Sequence, residues 1–230
     1  MPGIVFKKVN RLPNQIINEF ANLDSSIISD AQGRNNTMDA SIKPLKTNWK
    51  IVGSAITVKA MIGNNLGVHQ ALYLAEEGDV IVVDGNGFEN IAMWGGIMTE
   101  IAVKRKIAGL IIDGSIRDID EALKLNFPIF CKGVSPRGPH KGWGDDVNVP
   151  ISCGSVPVLP GDIIIGDSDG VVVIHKRFAE DVLKRSKEKL EKEKKWIQEI
   201  KDGKTSLEAI GLDKNVEFFS IKEIDEAFDD

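Results

Sequence analysis

Short apolar runs that alternate with helical patterns constrain this chain more than any other feature. KIVGSAITVKA (50–60) reads as a strand, Val68–Glu76 as an amphipathic helix, and Val80–Val83 as a second apolar run ending at Asp84-Gly85. The cadence repeats: Trp94–Lys106 has a helical pattern, Leu110–Ile112 is apolar, and Asp113-Gly114 follows as a turn. Asp118–Leu125 reads as a further helix, and Ile129-Phe130 opens another strand. Strands covered on both faces lose the apolar–polar alternation, so such runs set between helices predict βα units and a largely parallel sheet. Their crossovers should be right-handed. At 230 residues the chain is long enough to bury a core of this kind.

Outside this region the pattern changes. In residues 14–32, the spacing of Ile16, Ile17, Phe20, Ala21, Leu23, Ile27 and Ile28 predicts one or two short helices ending near Gly33, with a polar loop over 34–48. Residues 133–147, GVSPRGPHKGWGDDV, are rich in Gly and Pro and predict a loop over the sheet. Short strands follow at Ile151–Cys153, Val156–Leu159, Ile163–Ile165 and Val171–Ile174, separated by Pro-Gly-Asp and Asp-Gly turns. They read as a β-rich cap on the α/β core. From about Arg177 to Lys201 runs a long charged helix, with Glu188/Lys192 and Glu191/Lys195 at i,i+4 spacing. Val182, Leu183, Leu190 and Ile197 give it an intermittent apolar stripe, suited to one edge of the core or to a neighbouring subunit. A small helix is expected around Leu207–Ile210, and a frayed acidic end at DEAFDD. The expectation is a single domain over 1–230, with its core at about 20–176 and a C-terminal helical extension at 177–230.

The net charge of −5, without a basic block, gives no electrostatic footprint for nucleic acid. The N-terminus lacks a long apolar stretch and no later run approaches 18 residues, so neither secretion nor membrane spanning is expected, and the cytoplasm is the default. Cys131 and Cys153 lack metal-ligand spacing and read as reduced core thiols.

Possible chemistry concentrates between Trp94 and Asp118. A glycine-opened helix leaves the amides of Gly95, Gly96, Ile97 and Met98 without intrahelical acceptors, and those N–H groups with the helix dipole favour a carboxylate or phosphate. The alternative is a flexible helix start packed tightly on a strand. Arg117 and Asp118 follow an apolar strand ending at Asp113, and ligands of open α/β sheets lie beyond the carboxyl ends of strands. Arg suits a substrate carboxylate, and Asp is a hard oxygen ligand for Mg²⁺ or Mn²⁺. Equally, Asp118 could serve only its own helix, with Arg117 as an exposed partner. Elsewhere the signals are weaker. DSDG (167–170) lacks the downstream Glu of a calcium loop and reads as a hairpin turn. His69 could be core, cap or ligand, and Asp84 and Asp113 could be turn-formers or acids. Nothing marks a pocket that would activate Lys59, and no Walker loop, zinc pattern, nucleophile elbow or complete dinucleotide fingerprint is present.

The ordered blocks GSAITVKA, GDVIVVDG, AMWGGIMTEIA, AGLIIDGSIRD and VLPGDIIIGDSDGVVVI resemble the RraA-like family over roughly residues 20 to 200. That family holds 4-hydroxy-4-methyl-2-oxoglutarate/4-carboxy-4-hydroxy-2-oxoadipate aldolases and regulators of ribonuclease E activity, often labelled dimethylmenaquinone methyltransferases. The resemblance implies an α/β/β/α sandwich of the swivelling-domain type, with a β-rich cap and a long C-terminal helix, assembled as trimers or hexamers. It also implies that Arg117 binds a keto-acid substrate and Asp118 ligates Mg²⁺ or Mn²⁺, with the backbone at Gly95 through Met98 holding a pyruvate carboxylate. Regulators of the family often lack the acid of this pair, so Asp118 favours an enzyme. Family aldolases commonly carry an acid where this chain has Gly96. They also use a Glu from a neighbouring subunit's C-terminal helix, which an ungapped count from the DSDG block places at Glu193, with Glu191 and Glu188 as neighbours.

The function expected is therefore a divalent-metal-dependent lyase. It would cleave a small 2-oxo acid, such as 4-hydroxy-4-methyl-2-oxoglutarate, to a pyruvate enolate, with water held by metal and carboxylates as the base. Oxaloacetate decarboxylation passes through the same enolate. The competing expectation is a non-catalytic regulator binding a ribonuclease or another protein, favoured by Gly96 and the charged helix; a methyltransferase ranks last, for want of a cofactor loop.

Overall fold

The computed structural model describes residues 3–222 and Ile224; the DEAFDD end, 225–230, lies outside the described residues. The chain divides into two compact units, Met1–Ser186 and Lys187–Asp230.

The first unit opens with α1 (Asn14–Glu19), a 3₁₀ turn (Phe20–Asn22) and α2 (Ser25–Ala31). There follow β1 (Lys43–Pro44), β2 (Ile51–Lys59), α3 (Leu66–Leu74), β3 (Val80–Trp94) and α4 (Gly96–Lys104). Next come β4 (Gly109–Ile116), α5 (Ile119–Lys124), β5 (Ile129–Val134) and β6 (Asp146–Val147). The strands β7 (Ile151–Cys153), β8 (Val156–Val158), β9 (Ile163–Gly166) and β10 (Val171–Ile174) complete the set. The main sheet runs β1-β5-β4-β3-β2-β9-β10, with β6 also on β2, while β7 and β8 form a separate ribbon. β2 through β5 are mutually parallel, and β1, β6, β9 and β10 join antiparallel. This is the mixed α/β fold expected, with the DSDG segment forming the β9–β10 hairpin turn.

Burial on both faces explains the unbroken apolar runs. On one face, Ile81 and Val83 pack with Val68, Leu72, Met98 and Phe127. On the other, Val80 and Val82 pack with Ile111, Phe130, Val158 and Ile164. Each such side chain contributes about 1.5–3 kcal/mol by leaving water. The sheet is also nearly closed on itself. Asn36–Met38 lies against β10, where the Met38 amide donates to the Val171 carbonyl at 2.9 Å, and the next strand, β1, pairs with β5 at the other margin.

Two expected turns are absent. Neither Asp84-Gly85 nor Asp113-Gly114 ends its strand: β3 continues to Trp94 and β4 to Ile116. Register shifts between Asp84, Phe88, Ala92 and Trp94 take up the extra residues of β3. Asn86 and Gly87 sit at φ 56° and 66°, so a sequence that reads as a turn here makes a bulge within a strand. In consequence the following helix starts at Gly96, and Trp94 is the last residue of β3.

α6 (Ala179–Lys201), preceded by a 3₁₀ turn at Lys176–Phe178, runs on into the second unit, which adds α7 (Ser206–Ile210) and α8 (Asp213–Phe218). Thr205 and Glu208 close α7 with a reciprocal capping box, and Gly211 ends it in the left-handed conformation. The sequence pattern did not foretell α8. Among the described residues no helix is long and apolar enough to cross a membrane.

Candidate active site

β3 and β4 end side by side, with Trp94 opposite Ile116, so the start of α4 and the Arg117-Asp118 pair are brought together. They line one cleft of about 170 Å³ with Asn65, His69, Pro139 and Lys141. Gly95, Gly96, Ile97 and Met98, the four residues expected from sequence to hold a carboxylate, all lie on its wall.

Asp118 is the cap residue of α5, yet it makes no side-chain cap bond to that helix. Its backbone sits at φ 57° and ψ 44°, a left-handed conformation that an Asp adopts at some strain. The carboxylate reaches back across the cleft: Oδ2 accepts the Gly96 amide at 2.9 Å and lies 3.4 Å from Arg117 Nε. An acid serving only its own helix would not be turned this way. Gly95 makes the approach possible, because a Cβ there would lie 2.7 Å from Asp118 Oδ2 and 3.2 Å from Arg117 Cγ. Gly138, in the 135–145 loop, likewise lets Arg117 Nη1 lie against the chain.

Several groups at this site have no protein partner among the described residues. Gly96 donates to Asp118 and Met98 to the Gly95 carbonyl, which leaves the Gly95 and Ile97 amides available. The side chains of Arg117 and Asp118 are 42% and 48% exposed, and their pairing uses Nε and Oδ2, leaving both Nη groups and Oδ1 free to take a ligand. Asn65 is buried and donates to the Met93 carbonyl at 3.1 Å, while its Oδ1 has no donor. Trp94 closes the cleft floor, with its indole N–H donating to Thr99 Oγ1 at 2.9 Å and its ring stacked on Phe127.

Among the described residues no three His, Cys, Asp or Glu side chains converge on a point that could hold a metal. The fit for Mg²⁺ or Mn²⁺ is of another kind: a single half-exposed carboxylate with one oxygen free, beside an open cleft. Mg²⁺ suits this arrangement, since it keeps several waters and takes one or two carboxylates. Glu193 lies in the second unit on α6, with Lys189 Nζ 3.3 Å from its carboxylate, and Glu191 pairs with Lys194 at 2.7 Å.

Asn65, His69 and Lys141 were not singled out as one site by sequence, because they come from α3 and from a loop 76 residues further on. The signal that could have found them is the Asn-Asn pair opening α3 together with the Gly/Pro-rich loop. The Asn65 amide donates to the His140 carbonyl at 3.2 Å and the His140 amide to Gly63 at 2.8 Å, pinning that loop on the helix start. His69 carries a pKa lowered by burial and by nearby Lys141. Cys131 and Cys153 are free and buried; burial pushes Cys131 up to about 11 and Cys153 also well up, so neither thiol is primed as a nucleophile.

Comparison with known proteins places the chain in a family and agrees with its fold. The RraA-like family model, described as Aldolase/RraA, matches residues 25–173. A protein of Halalkalibacterium halodurans named "putative 4-hydroxy-4-methyl-2-oxoglutarate aldolase" is 44% identical over 173 residues, 75% of this chain and 82% of its own. Among solved structures, an uncharacterized protein of Pseudomonas syringae pv. tomato superposes with a TM-score of 0.78 at 26% identity, covering 89% of this chain and 97% of that one. Streptomyces coelicolor RraAS2, an unusual member of the RNase ES inhibitor RraA family, gives a TM-score of 0.72 at 23% identity over 80% of this chain and 97% of its own, a likeness of fold.

Proposed function

The chain belongs to the RraA-like family, and we propose that within it this protein is a divalent-metal-dependent lyase that cleaves a small 2-oxo acid to pyruvate. The observation that carries the reading is the convergence of free Arg117 Nη groups, the free Asp118 Oδ1 and the Gly95 and Ile97 amides on one small cleft. Its volume, about 170 Å³, suits a short organic acid better than a nucleotide or a drug-sized ligand.

The α4 amides and dipole hold a substrate carboxylate, and the Arg117 guanidinium balances the negative charge that builds on the keto oxygen as the carbon–carbon bond breaks. Asp118, fixed by the Gly96 amide, is the residue of this chain that would hold Mg²⁺ or Mn²⁺. When bound, that ion supplies Lewis-acid polarisation of the 2-oxo group. Trp94 and Pro139 give the site an apolar wall. Oxaloacetate loses CO₂ through the same enolate, so decarboxylation accompanies cleavage. In this reading the chain assembles as a trimer or hexamer in the cytoplasm, and Glu193 of a neighbouring copy, or Glu191 or Glu188 on the same helix, would add a carboxylate beside the metal.

The test is pyruvate release from oxaloacetate and from 4-hydroxy-4-methyl-2-oxoglutarate, with Mg²⁺ or Mn²⁺ and again with EDTA, after subtracting spontaneous oxaloacetate decay. Metal-dependent release that disappears in Asp118→Ala is the expected result. No release from either substrate would remove the lyase and leave the non-catalytic regulator as the reading of this fold.

A further inference from the structure

We infer that the C-terminal segment of one copy, residues 204–222, docks by its aromatic side chains into the groove between the N-terminal arm and α3 of a second copy of this chain. The inference is independent of the lyase reading, and the segment lies beyond the stretch 25–173 that the family model matches.

The segment leaves its apolar side chains uncovered. Ala209 is the one buried residue among the described residues of the second unit. Phe218 and Phe219 meet edge to face at 5.1 Å and are 80% and 69% exposed, and Leu212 and Ile221 are exposed on either side of them in the chain. α7 and α8 have five and six residues, well under the roughly 12–15 at which an isolated helix becomes even marginal in water, so their order calls for a surface to pack on. Burying the two phenyl rings would take roughly 300 Å² from water, over a third of the about 800 Å² per partner in a standard interface.

The first unit carries a matching surface. A groove of about 370 Å³ runs between the N-terminal arm and α3, lined by Val5, Lys7, Gln70, Tyr73 and Leu74 among others. Tyr73 is exposed, and so are Ile4 and Phe6 on the arm. The arm is fixed along residue 147: the Val147 amide donates to the Ile4 carbonyl at 2.8 Å, and the Phe6 amide to the Val147 carbonyl at 3.1 Å. Val5 therefore packs towards the core while Ile4 and Phe6 face out. Exposed apolar groups gathered in this way mark an interaction surface.

Charge selects the occupant. Residues 205–230 carry eight acidic side chains against Lys214 and Lys222, whereas residues 1–18 carry Lys7, Lys8 and Arg11 and no acid. Arg11 is taken by Asp79 and Glu76, but Lys7 and Lys8 are exposed and pair with no acid among the described residues. The groove of about 680 Å³ between the ends of α3 and α4 suits an acidic segment less well, since its lining balances Glu76 and Glu77 against Lys104 and Arg105. Aromatic rings packed in an apolar groove supply affinity, and opposite charges at the rim fix orientation. Each copy gives one segment and receives another, a head-to-tail contact of the kind that builds rings.

The test is cross-linking between full-length chains. Asn215→Cys, on α8, and Gln70→Cys, on the groove wall, are co-expressed as separately tagged chains and mildly oxidised, while Cys131 and Cys153 stay buried and unreactive. The expected result is a disulfide between the two tags that forms about tenfold faster than one between Asn215→Cys and Lys124→Cys, an exposed control on α5. Adding Phe218→Ser with Phe219→Ser should slow that linkage by about tenfold, since aromatic anchors carry most of such an interface. Adding Lys7→Glu with Lys8→Glu should slow it severalfold. Linkage no faster than the control would overturn the docking. So would linkage found only within a single chain that carries both Asn215→Cys and Gln70→Cys, or a wild type that light scattering shows to be a single chain. Should Phe218→Ser with Phe219→Ser fail to accumulate, the lysine reversal decides alone, and an unchanged rate there overturns the proposal. None of these outcomes bears on pyruvate release, so the docking and the lyase stand or fall separately.

Discussion

Arg117–Asp118, just past the end of β4, and Lys132–Asp113, which links β5 to β4, are both cation–carboxylate pairs, but their surroundings differ. Arg117 and Asp118 are 42% and 48% exposed, 3.4 Å apart, with donors and an oxygen left over. Lys132 and Asp113 are 17% and 10% exposed and 2.7 Å apart, and Asp113 Oδ2 also accepts the Gly154 amide at 3.0 Å, which ties the β7–β8 ribbon to the sheet. The hydrogen bond to Asp113, acting against burial, raises the Lys132 pKa. A covered pair whose two carboxylate oxygens each face a donor is a fastener, whereas an open pair held in a strained backbone keeps its capacity for a ligand. The chemistry of the side chains is the same; burial and satisfaction divide the roles.

The sharpest way to break this comparison is to remove each carboxylate in turn. Asp118→Ala should cost about 4 kcal/mol of transition-state stabilisation, roughly 10³-fold in kcat/KM for metal-dependent pyruvate release, while the urea midpoint barely moves. Asp113→Ala should do the reverse. It leaves Lys132 partly buried and unpaired, so urea unfolding should show a loss of about 3 kcal/mol, with turnover per folded molecule retained. The sign with pH follows from the raised Lys132 value. Its contribution to stability is complete below the ordinary lysine pKa of about 10.4 and is lost as pH rises through the folded value, so alkaline destabilisation should be weaker in Asp113→Ala than in the wild type. If Asp113→Ala abolished turnover without altering stability, the division of roles would be wrong.

Smaller effects sharpen the picture. Gly95→Ala places a methyl 2.7 Å from Asp118 Oδ2, and displacing that carboxylate should lower kcat/KM by about 10²-fold, read against an unchanged far-UV spectrum. Gly96 is different, because a Cβ there meets Asp118 and Glu121 only at 3.5 Å, an ordinary contact. Gly96→Asp should therefore fold normally and raise Mg²⁺ affinity about tenfold by supporting bound water, measurable by calorimetry. Weaker binding would show that the added charge repels Asp118 rather than aiding it.

The sequence exposed the architecture where one physical rule acted alone. Double-sided burial made Val80–Val83 and Leu110–Ile112 recognisable as strands, and the glycine-opened helix with Arg117-Asp118 located one wall of the cleft. It hid what depends on pairing between distant segments. Asp-Gly at 84 and 113 has the local chemistry of a turn, but ladder bonds to neighbouring strands carried both strands onward through bulges. The bond from the Gly96 amide to Asp118 spans 22 residues, and the nearness of Lys141 to His69 depends on a loop whose course no local pattern specifies. The residues of α8 lack a clear apolar period, and all of them but Val216 lie exposed, so no burial pattern marked the helix.

The left-handed backbone of Asp118 has a consequence for how such a protein can change over generations. A glycine would sit at φ 57° with less strain, lowering the energy of the folded state by about 1 kcal/mol, and it would remove the carboxylate at the same stroke. Selection for persistence alone, in heat or during storage, should draw this codon towards glycine. An aspartate kept there against that drift records selection on what the carboxylate does, and lineages freed from that demand should lose it early.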